Sequence, residues 1–61
     1  MKSGDIIENI KTGKRYICWG LSYAGHNLVM VDYHCIKAGT NRIRWQGLKT
    51  GPLENFRVVN D

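Results

Sequence analysis

Short apolar runs alternate with glycine-bearing polar turns along the chain, at intervals of about 8–12 residues. Seven glycines interrupt every window in which a long amphipathic helix would fit. This rhythm is typical of a small all-β sandwich or barrel. The pattern predicts five strands, over residues 5–10, 15–21, 28–36, 42–46 and 56–60.

Side-chain alternation in these strands predicts which face is buried. In the strand over 28–36 we expect Val29, Val31, Tyr33 and Cys35 to face the core, because the other face carries Asp32 and His34. Residues 42–46 alternate strictly, which favours an inward Trp45 beside Ile43, and the alternative is an exposed Trp45 available for aromatic stacking. The predicted core is Ile6 or Ile7, Ile17, Val29, Val31, Ile43, Trp45, Leu53, Phe56 and Val58.

Turn-forming residues separate the predicted strands. Gly13 suits a turn with positive φ, residues 22–27 are predicted as a loop, and residues 37–41 and 47–51 as breaks. Residues 52–55 begin with proline, which favours a single helical or 3-10 turn just before the last strand.

Three segments together resemble the SH3-like small β-barrels. They are Gly4-Asp5-Ile6-Ile7 at the start, Gly13 to Ile17 at the second strand, and Pro52 to Val59 at the end. The resemblance implies an all-β fold, a single five-stranded SH3-like barrel over residues 1–61 with one 3-10 turn before the last strand. In its short length and its lack of a family motif, the chain resembles an orphan phage or prophage gene product.

Length and composition bound the function. The chain has 61 residues, of which 43% are hydrophobic, so it is expected to form one folded domain and not a multidomain enzyme. It has no stretch near the roughly 20 apolar residues that span a bilayer, and polar residues follow Met1 at once. We therefore expect a cytoplasmic protein without a membrane partner.

Nine Lys and Arg against five Asp and Glu give a net charge of +4. A basic small domain favours an anionic partner, most often nucleic acid, although the same charge also serves solubility. On the outer side of the predicted strand over 42–46 lie Arg42, Arg44 and Gln46, with Lys37 and Lys49 in the adjoining turns. Guanidinium groups in such a stripe suit phosphates.

Tyr23 and His26 share the predicted loop, where they could contact either nucleic-acid bases or a protein surface. Two interpretations follow from these residues. The first is a basic, non-catalytic module that binds nucleic acid without sequence specificity. The alternative is a protein-interaction or inhibitor module, and a homo-oligomer is compatible with both.

Residues for metal binding or catalysis lack the necessary spacing. Cys18, His26, His34 and Cys35 do not form the closely spaced pairs of zinc sites, and neighbouring His34 and Cys35 would point to opposite faces of a strand. We expect no metal, no cofactor, no catalysis, and two buried, reduced cysteines. A third class, an oligomeric enzyme, stays open because Trp45-Gln46-Gly47 resembles a segment of the plasmid-encoded dihydrofolate reductases.

Overall fold

The computed structural model describes residues 1–59 as an all-β protein of five antiparallel strands. One 3-10 turn, Leu53–Asn55, precedes the last strand, which confirms the predicted fold class. The predicted end of that strand at Asn60 lies outside the described residues. The strands are β1 (Ile6–Asn9), β2 (Arg15–Ala24), β3 (Asn27–Cys35), β4 (Lys49–Pro52) and β5 (Phe56–Val58).

The five strands form one sheet in the order β4-β3-β2-β1-β5. The edge strands β4 and β5 are nonetheless separated in sequence only by the residues of the 3-10 turn. A three-residue connection is short, so the sheet must curl to bring its two edges to the ends of one turn. Within residues 1–59, no strand pairing joins β4 to β5.

β2 and β3 form a long hairpin whose turn is shorter than predicted. Residues 22–24, predicted as loop, continue β2 and pair with β3 as far as Ala24 opposite Asn27. Gly25 supplies the left-handed backbone that so tight a turn requires, with φ of 63°. Within β2, the register shifts between Cys18 and Gly20, so a β-bulge forms at Trp19.

The buried apolar side chains are Ile7, Cys18, Val31 and Phe56. Three rings, from β2, β3 and β5, come together on the core side: the ring centroids of Tyr16 and Tyr33 are 4.7 Å apart, and those of Tyr33 and Phe56 are 4.9 Å apart. Both cysteines are free thiols; Cys18 is buried and Cys35 half-buried. The prediction of buried cysteines is therefore confirmed for Cys18 only.

The predicted core is correct in its centre and wrong at its periphery. Ile7, Val31 and Phe56 are buried as predicted. Ile6, Ile17, Ile43 and Leu53 are half-buried. Exposure corrects the prediction for Val29, Val58 and Trp45, of which Trp45 is 73% exposed.

The predicted strand over 42–46 does not form. Only Ile43 pairs there, in an isolated bridge with Ile36. The fourth strand is instead Lys49–Pro52, where residues 49–51 were predicted to belong to a break and Pro52 to begin the 3-10 turn. Since residues 42–46 are not extended throughout, side-chain alternation does not apply to them, and Trp45 is not directed into the core beside Ile43.

Candidate functional site

An open cleft of about 510 Å³ lies where the starts of β2 and β4 approach the end of β3. Tyr16 and Cys35 lie among its lining residues, together with Gln46. Four cationic side chains surround it: Lys14, Arg15, Arg44 and Lys49. We call this set of residues the basic cleft.

Local hydrogen bonds hold the backbone around the basic cleft in place. The carbonyl of Lys14 accepts a hydrogen bond of 2.9 Å from the Asn9 amide, which fixes the approach to β2. The Arg44 amide donates to the Cys35 carbonyl at 2.8 Å, which ties the 36–48 connection to the end of β3. Lys49 opens β4 opposite Tyr33. The four cations therefore come from three separate segments.

A three-residue turn divides the side chains of residues 44–46 between two surfaces. The Gln46 amide donates to the Arg44 carbonyl at 2.8 Å, which places Trp45 at the apex of the turn. Arg44 and Gln46 line the basic cleft, and Trp45 does not.

The electrostatics of the basic cleft favour anions. Among residues 1–59, the residues that line it include no Asp or Glu. Glu8 approaches only one of the cations, with 4.0 Å between its carboxylate and Arg15, and its other oxygen pairs with Arg57 at 2.6 Å. Burial raises the pKa of Tyr16, and Tyr33 and Cys35 raise it further, so this phenol stays neutral at physiological pH.

The structure brings together only part of the predicted site. Arg44, Gln46 and Lys49 meet in the basic cleft, and Lys37 lines an adjoining concavity that shares Arg15 with it. Arg42 is exposed but lines neither concavity.

Tyr23 and His26 are exposed at the tip of the β2–β3 hairpin. Tyr23 is seven positions along β2 from Tyr16, or about 23 Å at the rise of an extended strand. These two residues therefore form a surface separate from the basic cleft.

Sequence reasoning missed Lys14 and Arg15 as members of this site. They were treated as the end of a turn and the start of a strand. What identifies them is the pairing of Tyr16 with Cys35, which brings the start of β2 beside the residues that follow β3. In the sequence, the two adjacent basic residues Lys14 and Arg15 were the feature that could have indicated this surface.

An aromatic cluster occupies the sheet face opposite the core. His34 alternates with the core-facing Tyr33 and Cys35, yet it is only 6% exposed, because two tryptophan rings pack against it. The ring centroid of His34 lies 4.9 Å from that of Trp19 and 5.1 Å from that of Trp45. The two indole rings meet edge to face, with centroids 6.0 Å apart.

Neither a metal-binding cluster in the described residues nor a match to a known protein adds to the description of this site. Within residues 1–59, no three His, Cys, Asp or Glu side chains are grouped so that they could hold a metal ion. No helix in that range has the length and apolar content to cross a membrane. The chain matches no protein-family profile, no curated protein and no solved structure.

Proposed function

We propose that this protein is a non-catalytic module that binds nucleic acid without sequence specificity, through the basic cleft. The observation that carries the proposal is the convergence of Lys14, Arg15, Arg44 and Lys49 on one concave surface. Among the described residues, 1–59, its lining adds no acidic side chain. Arginine pairs with phosphate through two parallel hydrogen bonds, and lysine adds a mobile point charge.

The proposal extends to architecture and location. The strand order and the 3-10 turn before β5 support an SH3-like barrel, in which the edges of the curled sheet lie near each other. We also propose a cytoplasmic location and a phage or prophage origin. The small size of the protein and the lack of a family match are compatible with both.

Salt dependence tests the proposal directly. Four phosphate contacts on a single strand give a slope of log K against log salt of about −3, and micromolar or weaker affinity at physiological salt. Fluorescence anisotropy of a labelled oligonucleotide, titrated at several salt concentrations, measures both quantities. The variant Arg44→Ala/Lys49→Ala should weaken binding and reduce the slope by about 1.4, since two contacts are lost.

A charge-matched control separates the cleft from general charge. Lys2→Ala/Lys11→Ala removes the same two positive charges from exposed positions outside the cleft lining. This control should retain most of the salt slope. Equal weakening by both double variants, or no binding by the wild type at low salt, overturns the proposal.

The protein-interaction or inhibitor function has one observation in its favour. Tyr23 is 63% exposed at the hairpin tip, and His26 lies beside it in the turn. A large exposed aromatic side chain at a protruding tip suits contact with a partner protein. Binding of that kind should respond weakly to salt and should be lost in Tyr23→Ala, while Arg44→Ala/Lys49→Ala leaves it unchanged.

A further inference from the structure

The aromatic cluster on the outer face presents an exposed ring in a fixed position. Trp45 is 73% exposed, although Trp19 and His34 both contact it. A large ring that remains exposed while its neighbours restrain it loses little further freedom when a planar group stacks on it. We call the surface formed by Trp19, His34 and Trp45 the tryptophan platform.

The backbone around Trp45 is also fixed. The Ile36–Ile43 bridge and the hydrogen bond from Arg44 to Cys35 hold the connection against the end of β3. The tight turn closed by Gln46 then presents Trp45 at its apex, over His34. The orientation of Trp45 is thus set by backbone hydrogen bonds as well as by ring contacts.

His34 brings a polar side chain into the tryptophan platform. Its Nδ1 atom is buried and has no hydrogen-bond partner among residues 1–59. An unsatisfied buried nitrogen lowers stability compared with an apolar side chain of similar shape. The contribution of His34 to the tryptophan platform is therefore its ring contact with Trp19 and Trp45.

The tryptophan platform and the basic cleft meet at consecutive residues. Arg44 lines the cleft and Trp45 belongs to the platform, and their Cα atoms are about 3.8 Å apart, as in any trans peptide. A flexible strand of several nucleotides that passes around residues 44–46 can therefore place phosphates on the cleft side and a base on the indole. A duplex cannot do so without unpairing, because its bases are stacked inside the helix.

We propose that the preferred ligand is a single strand, DNA or RNA, with a base stacked on Trp45 and the adjacent phosphates in the basic cleft. This inference rests on the proposed function and specifies its substrate class. Stacking on an aromatic side chain tolerates any base, so it adds affinity without sequence specificity. Trp19 and His34 act as positioning residues that support the indole of Trp45.

The test compares ligands that differ only in their bases. An oligothymidylate of about twelve nucleotides is titrated against an abasic chain of the same length and against a duplex, with anisotropy as the readout. The wild type should bind the oligothymidylate at least about tenfold more tightly than the abasic chain, and its indole fluorescence should be quenched. Equal affinity for these two chains, or equal affinity for the duplex, overturns the platform while leaving the basic cleft intact.

Variants separate the platform from the cleft. Trp45→Ala should weaken oligothymidylate binding by about tenfold or more, without changing the salt slope or the affinity for the abasic chain. Ile10→Ala, a control at an exposed apolar position outside the cleft lining and the tryptophan platform, should leave both affinities unchanged. If Trp45→Ala fails to fold, Trp45→Phe takes its place in the test. This variant keeps a stacking ring and should retain part of the wild-type affinity for oligothymidylate. Loss of salt slope in Trp45→Ala would overturn the division of roles, and no binding of any chain would overturn both proposals.

Discussion

Cys18 links the core to the pH dependence of the protein. The side chain is buried between strands, and burial raises the pKa of its thiol, with the carboxylate of Asp5 raising it further. The pKa of Tyr16 is raised as well, first by burial and then by Tyr33 and Cys35. Both groups are neutral when protonated, so the folded state holds these protons more firmly than the unfolded chain does.

Alkaline pH should therefore destabilise the protein. A thiol with a raised folded pKa contributes stability that is complete below its unfolded value of about 8.5 and is lost as pH rises through the folded value. Tyr16 adds a loss of the same sign from about pH 10 upward. Urea unfolding between about pH 7 and 10.5 measures the free energy of unfolding across both windows.

The variant Cys18→Ala isolates the thiol in this experiment. It lacks the titrating group, so its free energy of unfolding should fall less steeply than that of the wild type between about pH 8.5 and 10. The contribution of Tyr16 above that range should persist in the variant. Identical slopes in both proteins below pH 10 would contradict the role assigned to Cys18.

Single-residue burial was predictable where a strand really forms. Val31 and Phe56 lie in paired strands, and alternation or apolar character was enough to place them in the core. In β1 the pattern left Ile6 and Ile7 as alternatives, of which Ile7 is buried. Trp45 obeyed the same pattern in sequence, but its segment turns instead of extending. Local pattern cannot distinguish a strand from a looped segment of equal composition, because strand formation depends on a partner elsewhere in the chain.

At the scale of elements, β4 shows how tertiary contact can override turn composition. The strand contains Gly51, which predicted a break, and Pro52, which was predicted to begin the 3-10 turn. Pro52 is tolerated because β4 is an edge strand, where a missing amide leaves no central pairing unsatisfied. Gly51 is buried, and a Cβ atom there would lie 3.2 Å from the Phe56 ring. The glycine that indicated a turn is instead required by the close approach of that ring.

Gly51→Ala should consequently destabilise the protein by about 1–3 kcal/mol through overpacking against Phe56 and Tyr33. Gly20→Ala is the matched control, since its Cβ would meet the Asp32 carboxylate only at an ordinary 3.5 Å. That substitution should be neutral or slightly stabilising, because it reduces the freedom of the unfolded chain. Thermal unfolding of both variants decides the matter, and equal effects at the two positions would refute the assignment.

The basic cleft is assembled from several elements of the fold. Arg44, Gln46 and Lys49 were predicted as neighbours from their proximity in sequence, although for a strand that does not form. Lys14 and Arg15 join them only through the pairing of β2 with β3. The charge content of the site was thus visible in the sequence, whereas its assembly depended on long-range register.

No disulfide joins Cys18 and Cys35, so the stability of the fold rests on packing and on the sheet. Cys18 and Cys35 belong to adjacent strands, but Cys18 pairs with Tyr33 and Cys35 with Tyr16, so the two cysteines are two positions out of register. Both remain thiols. The core and the sheet alone must then support the fold.

Treatment with a reducing agent should leave the melting temperature unchanged. A disulfide between these cysteines would contribute about 2–4 kcal/mol, and each kcal/mol shifts the midpoint of a domain of this size by about 4–8 °C. Differential scanning calorimetry with and without reductant resolves shifts of that size. A fall of about ten degrees on reduction would show that a disulfide forms in solution.

The pairing of β1 with β5 determines when the protein can fold during its synthesis. Ile7 pairs with Val58, and the Glu8 carboxylate accepts a hydrogen bond from Arg57 at 2.6 Å. β1 can therefore complete its pairing only after β5 has been synthesised. Until β5 leaves the ribosome, the nascent chain carries an uncovered edge at β1 and lacks Phe56 in its core. The β2–β3 hairpin can form earlier, because its contacts are local. The pairing of β1 with β5 is therefore the last step in forming the sheet.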